Sequence, residues 1–243
     1  MRLLALLLAA SAIAASSGHA AKGPRTQDQV WSHPDFAHLG VQSIAMLPVA
    51  TYTNDLPAER QVQMAWGQKF AASGYRWISA GTVRDLLRAS AEGDSLLKLA
   101  RESVLQKGHV DSLLAPALCG RLRVGAALSV CVQQWEQTAI EPDQAGKPST
   151  SVQLRAALVD STGRLLWSAS GSETVEGDYH EPTQVDAAHA GSGATRSTGL
   201  GGASGPGSGT PPMYAEVLER LLARWVKIFP MKPAADSTRA PGK

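Results

Sequence analysis

The sequence predicts an α/β fold: a central mixed sheet of about five strands with helices packed on it, among them a C-terminal amphipathic helix. Short apolar runs at 43–50 and 75–80 bracket an amphipathic segment, the strand, helix, strand order that builds parallel pairing. Two alternating runs, 151–160 and 164–177, meet at Ser161, Thr162 and Gly163, a hairpin whose glycine can take the positive φ such turns require. Near the end, "MYAEVLERLLARWVKIF" lays Tyr214, Val217, Leu218, Leu221, Leu222, Trp225, Ile228 and Phe229 on one broad stripe that must cover something.

The chain opens with "MRLLALLLAASAIAASSGHA", an early Arg2, an apolar run and small residues up to Ala20. Residues 1–20 read as a secretory signal cut after Ala20, too short for a membrane span. A buried N-terminal helix is the alternative, but the run lacks an amphipathic period. The exported chain is thus expected in the periplasm, and its remaining length of about 220 residues suffices for one domain with a sizeable core. Residues 21–40 show no period, carry Pro24 and Pro34, and read as an extended arm.

A single α/β domain is expected over 41–229. "SIAMLPVA" is a buried first strand, and Asn54 or Asp55 then caps a helix with Pro57 in its first turn and Val62, Ala65, Trp66 and Phe70 on one face, closed by Gly74. "YRWISA" is a second strand, followed by a helix over "GTVRDLLRAS" with Thr82 as cap. Residues 95–124 form two helices interrupted at Gly108 and Pro116, the second burying Leu113, Leu114, Ala117, Leu118 and Leu122. In "GAALSVCVQQWEQTAI", Leu128, Val130 and Val132 point one way and Ser129, Cys131, Gln133 and Trp135 the other. The hairpin strands follow, with Leu165, Trp167 and Ala169 on one face as core packing. From about 180 to 210 the composition turns to Gly, Ser, Ala and Thr, a flexible insertion, after which Thr210 caps the last helix; residues 230–243 read as a disordered tail.

Chemistry-bearing motifs are sparse. Lys and Arg total 23 against 21 Asp and Glu, without the basic excess that phosphate-backbone binding needs, so nucleic acid is not an expected partner. His33, His38, His109, His180 and His189 form no zinc-type pair on one helical face, no Gly-x-Ser-x-Gly elbow occurs, and the Gly-rich stretch lacks a phosphate-loop ending. No catalytic, metal-binding or cofactor-binding residues are therefore assigned. Asp160, Glu173, Glu176 and Asp178 gather near the hairpin and read as solvated turn and edge carboxylates. Cys119 and Cys131 are the only thiols; an oxidising compartment permits a disulfide worth about 3 kcal/mol, and two buried apolar thiols are the alternative.

The strings "MLPVA", "GYRWISAGTVRDLL", "CGRLRVGAALSVCVQQWEQ" and "VQLRAALVDSTGRLLWSASG" resemble the group of bacterial envelope proteins and lipoproteins that includes the curli-secretion protein CsgG and the penicillin-binding-protein activator LpoB. Asp160, Thr162, Gly163 and Trp167 match that group's hairpin, and the likeness covers residues 41–177 and the last helix. It implies an α/β domain that serves envelope assembly or regulates an envelope enzyme by protein binding rather than by catalysis. The chain departs from the group in three respects. No lipobox cysteine follows the signal, so outer-membrane association has no lipid anchor motif; no strand pair is long and amphipathic enough for a CsgG-like pore; and the Gly-rich insertion is foreign to the hairpin pattern.

Two expectations of function follow. The first is a non-enzymatic accessory protein that engages an envelope protein through exposed loops or through the N-terminal arm with Trp31 and Phe36, since exposed aromatics serve as binding anchors. The second is a binder of a small ligand or cell-wall fragment at the ends of the parallel strands. Nothing in the sequence sets an oligomeric state.

Overall fold

The computed structural model describes residues 28–52, 55–141, 144–180 and 210–232. The signal, the start of the arm, nearly all of the Gly-rich insertion and the end of the tail lie outside the described residues. The strands are β1 (Gln29–Ser32), β2 (Ser43–Met46), β3 (Ala50–Thr51), β4 (Arg76–Ile78), β5 (Ala126–Thr138), β6 (Ser149–Asp160) and β7 (Leu165–Glu176). The helices are α1 (Leu56–Phe70), α2 (Ala80–Arg88), α3 (Ala91–Lys107), α4 (Ala115–Leu122) and α5 (Tyr214–Ile228).

The seven strands of the described residues join one mixed sheet in the order β1-β7-β6-β5-β2-β4, with β3 beside β5. Strand β2 runs parallel to β4 and β5, and the other long pairings are antiparallel. The count exceeds the expected five for two reasons. Leu47, Pro48 and Val49 divide the first apolar run into β2 and β3, and the supposed arm contributes β1, paired antiparallel with β7 from Gln29–Ser170 to Ser32–Trp167.

Alternation gives each central strand two buried faces. Ile44, Met46, Leu128, Val130, Leu154 and Trp167 face α1 and α5. Ala45, Leu47, Ala127, Cys131 and Val159 face α2, α3 and α4. On the first side Val62, Trp66 and Phe70 of α1 meet Val217, Leu221 and Trp225 of α5, so the C-terminal stripe covers both the sheet and a helix. Trp66 stacks on Phe70 with ring centroids 4.2 Å apart, and Trp66, Trp167 and Trp225 meet edge to face.

Helix starts follow local chemistry. Asp55 accepts from the Ala58 N–H at 2.9 Å, and Ser90 caps α3 through the Gly93 N–H at 3.1 Å. The cap of α2 is Ser79, not Thr82, because α2 begins one turn earlier and the Thr82 N–H donates to the Ser79 hydroxyl. Met213, without a side-chain cap, precedes α5 in place of Thr210. Helix α3 starts at Ala91, ahead of the expected Ser95, and ends at Gly108, whose φ of 78° closes it with an N–H bond to the Val104 carbonyl. In α4 the buried set is Ala115, Leu118, Cys119 and Leu122; Leu113 is 86% exposed and Ala117 is also exposed.

Register irregularities correct two face assignments. A bulge between Val132 and Gln134 adds one residue to β5, so Trp135 pairs with Val152 and stacks on Tyr214 at 4.1 Å instead of sharing the Cys131 face. A second irregularity at Leu158 and Val159 places Leu165 with the α2–α4 core, while Leu166 and Trp167 both join the α1–α5 core. Gly163 turns the hairpin with φ of 86°, and a Cβ there would stand 2.3 Å from the Ser112 carbonyl oxygen.

Candidate functional site

The helices do not cover the whole sheet. Across β1, β7 and β6, the face opposite α5 carries Trp31 beside Ser168, Gln29 beside Ser170, Ser170 beside Arg155, and Ser172 beside Gln153. Short serines form the floor, and the longer glutamines, Trp31 and Arg155 stand up from it. They enclose an open groove of about 570 Å³, completed by Gln133, the extra residue of the β5 bulge, and no residue of the described helices lines it. Trp31 is 45% exposed and meets the His33 ring edge-on at 6.1 Å. Among the described residues Arg155 is the one charged residue in the lining; its side chain lies against Gly108 at the end of α3 and has neither an ion pair nor a hydrogen bond among them.

Phe36, the other expected anchor, does not join Trp31. It is 4% exposed, packed edge-on against Tyr75 at 6.2 Å in the α1–α5 core. The pairing of β1 with β7 draws the segment onto the sheet and turns Phe36 inward, so the described residues of the arm, from 28 on, are part of the fold and Phe36 is a core residue.

Two apolar clefts flank α1. One, about 670 Å³, lies between α1 and the start of α5 and is lined by Met64, Ala65, Met213, Tyr214 and Leu218 with polar side chains at the rim. The other, about 560 Å³, lies between α1 and β4 and is lined by Met64, Trp66, Phe70, Trp77 and Ile78. Met64 borders both from the crest of the helix, 62% exposed, and Met213 is 77% exposed.

At the carboxyl end of β2, where an open α/β sheet often binds ligands, a cleft of about 340 Å³ is lined by charged side chains. These largely satisfy one another. Arg84 meets Glu59 at 2.8 Å, Lys98 meets Asp94 at 2.9 Å with Arg88 at 3.8 Å, and Arg101 donates to the Thr51 carbonyl at 3.0 Å. Salt-bridging and hydrogen bonding to Lys98 hold the Asp94 carboxyl below its usual range.

Cys119 and Cys131 are free thiols, both buried in the α2–α4 core, and no disulfide joins them. Burial, then the charge of Asp160, pushes the Cys119 thiol up to about 11; burial also raises Cys131, against the opposing pull of Arg155 and Arg101. Both stay protonated at neutral pH, the wrong state for a nucleophile. Among the described residues no three His, Cys, Asp or Glu side chains converge as a metal-binding group.

Two of the carboxylates near the hairpin, Asp160 and Glu173, are more engaged than their solvated reading, while Glu176 and Asp178 are exposed as expected. Asp160 is buried and organises the turn, Glu173 pairs with Arg224, and Glu176 meets Lys147 at 3.1 Å. Sequence reasoning passed over Gln153, Arg155, Ser168, Ser170 and Ser172. Their alternation with apolar neighbours marks a polar face, but which strands stand side by side is set by pairing between distant segments.

No protein-family model matches the chain, and no curated protein matches it. Among solved structures the chain is similar to lipoprotein GNA1162 from Neisseria meningitidis, at 18% identity over 56% of this chain and 83% of that one, with a TM-score of 0.42. It is similar to the PelC dodecamer subunit from Paraburkholderia phytofirmans, at 19% identity over 63% and 84% of the two chains, TM-score 0.37. It is also similar to E. coli LpoB, at 12% identity over 72% and 83%, TM-score 0.28. These likenesses are distant. No helix among the described residues is long and apolar enough to cross a membrane.

Proposed function

We propose that this chain is a non-enzymatic accessory protein of the periplasm that serves envelope assembly, or regulates an envelope enzyme, by binding a protein partner. The observation that carries the reading is Met64 on the crest of α1 between two apolar clefts, with Met213 exposed at the rim of one of them. A helix in a domain of this size ordinarily turns its apolar side chains inward; here α1 buries Val62, Trp66 and Phe70 and still exposes Leu56 and Met64. Methionine and aromatic side chains around an apolar depression are the composition of a protein-binding surface, since the flexible thioether adapts to a partner's shape. The apolar leader of residues 1–20 supports the compartment.

A photocrosslinking amino acid at position 64, with the same group at exposed Glu102 on α3 as control, tests the reading in envelope preparations. The expected result is one discrete adduct with an envelope protein from position 64, absent from position 102 and lost when Met213→Glu is added. Adducts of equal pattern from both positions, or none from position 64, would remove this surface from the account.

A further inference from the structure

We propose that the polar groove on the uncovered face of β1, β7 and β6 binds an oligosaccharide that carries a carboxylate. This face lies across the sheet from α1 and α5, so the inference stands apart from the protein-docking surface around Met64.

The lining specifies the ligand. Gln29, Gln133 and Gln153 present amide groups that both donate and accept, and Ser168, Ser170 and Ser172 present hydroxyls that do the same. A ligand matched to them is dense in hydroxyl and amide groups along its length. Among the described residues Trp31 is the single large apolar side chain in the groove, and its half-exposed ring offers a flat face rather than a pocket. A pyranose ring has this dual character, with C–H bonds on one face and hydroxyls at its rim. Arg155 adds a planar fork of donors that matches a carboxylate, and no acidic group of the described residues occupies it. The register sets the scale: Trp31 on β1 and Arg155 on β6 stand on either side of β7, one open-face rung apart, a backbone separation of about 12 Å at ordinary strand spacing, so a ring on Trp31 assigns the carboxylate to the neighbouring sugar.

Other occupants fit the groove less well. A peptide read by its side chains needs apolar pockets between the polar contacts, and none lines this groove. A nucleic acid needs several cations along its backbone, and the lining has one.

The test titrates the full-length protein, by calorimetry and ligand-observed NMR, with the disaccharide of N-acetylglucosamine and N-acetylmuramic acid, whose lactyl group supplies the carboxylate. N,N'-diacetylchitobiose, with the same rings and no carboxylate, and triglutamate, with carboxylates and no sugar, are the comparisons. The expected result is saturable binding of the acidic disaccharide, at least tenfold weaker for chitobiose and for triglutamate. Arg155→Gln should lower affinity for the acidic disaccharide to the chitobiose level, Arg155→Lys should retain part of it, and Trp31→Ala should lower affinity for both sugars at least tenfold with Trp31→Phe intermediate. Wild-type melting temperatures in Arg155→Lys and Trp31→Phe separate loss of binding from loss of fold. Absence of saturable binding, equal binding of the two sugars, or triglutamate binding as tightly as the acidic disaccharide would overturn the proposal.

Discussion

Asp160 does at one position what the whole Ser161-Thr162-Gly163 turn needs. Its Oδ1 accepts from the Thr162 N–H at 2.8 Å, the Thr162 hydroxyl at 2.6 Å and the Arg164 N–H at 2.9 Å. Burial alone would raise the carboxyl's pKa, but these bonds and the Arg164 charge outweigh it and hold it below the ordinary value. A group depressed in the folded state contributes stability above its unfolded pKa and loses it as pH falls through the folded one. Asp160→Ala is therefore expected to cost about 2–4 kcal/mol at pH 7, since three donors lose an ionised acceptor. The gap from wild type should narrow below about pH 4. Denaturant titrations across that range measure it, and a pH-independent gap would assign the cost to backbone strain instead of charge.

At the scale of elements, β1 is held by more than its ladder. Arg224 of α5 reaches Asp28, just before β1, with distances of 2.6 and 3.2 Å, donates to the Ser172 carbonyl at 3.1 Å and pairs with Glu173 of β7. Three elements that are remote in sequence thereby close on one guanidinium. Its fork geometry serves two carboxylates at once, which a lysine could not reproduce. Arg224→Met keeps the apolar stem but strands two largely buried carboxylates, for an expected cost of about 2–4 kcal/mol. Hydrogen exchange should quicken at the β1 amides before the β5 and β6 amides respond. Unchanged protection at Trp31, whose rung with Ser168 is two residues from the His33–Leu166 hydrogen bond and so a hydrogen-bonded one, would mean that pairing with β7 is enough to hold the strand.

For the molecule as a whole, the consequence of one sheet with two buried sides is mechanical. Ile44 and Ala45 are neighbours on β2, yet one belongs to the α1–α5 core and the other to the α2–α4 core; Leu128 and Ala127 repeat this on β5. Neither core can lose those strands without the other, so a single cooperative unfolding transition is expected. Trp66, Trp167 and Trp225 report the first core by fluorescence, and the reactivity of Cys119 and Cys131 reports the second. Their midpoints in denaturant should coincide, and a thiol transition at lower denaturant would identify the α2–α4 layer as a separate unit.

The sequence by itself determined what is local. Alternation in β6 and β7, the positive-φ glycine between them, a cap at Asn54 or Asp55 and the α5 stripe depend on neighbours a few residues away, and each could be read directly. Only the tertiary structure decided the rest. Trp135 changed sides because one extra residue at Gln133 shifts the phase of an otherwise regular strand. Phe36 went inside because β1 found an edge of β7 about 140 residues later in the chain. The same long-range choice left Trp31 outside, on the same open face as Arg155, on the part of the sheet that no described helix covers. Which strands become neighbours, and which face the helices reach, follows from burying the largest apolar area at once, a sum over the whole chain that no local pattern contains.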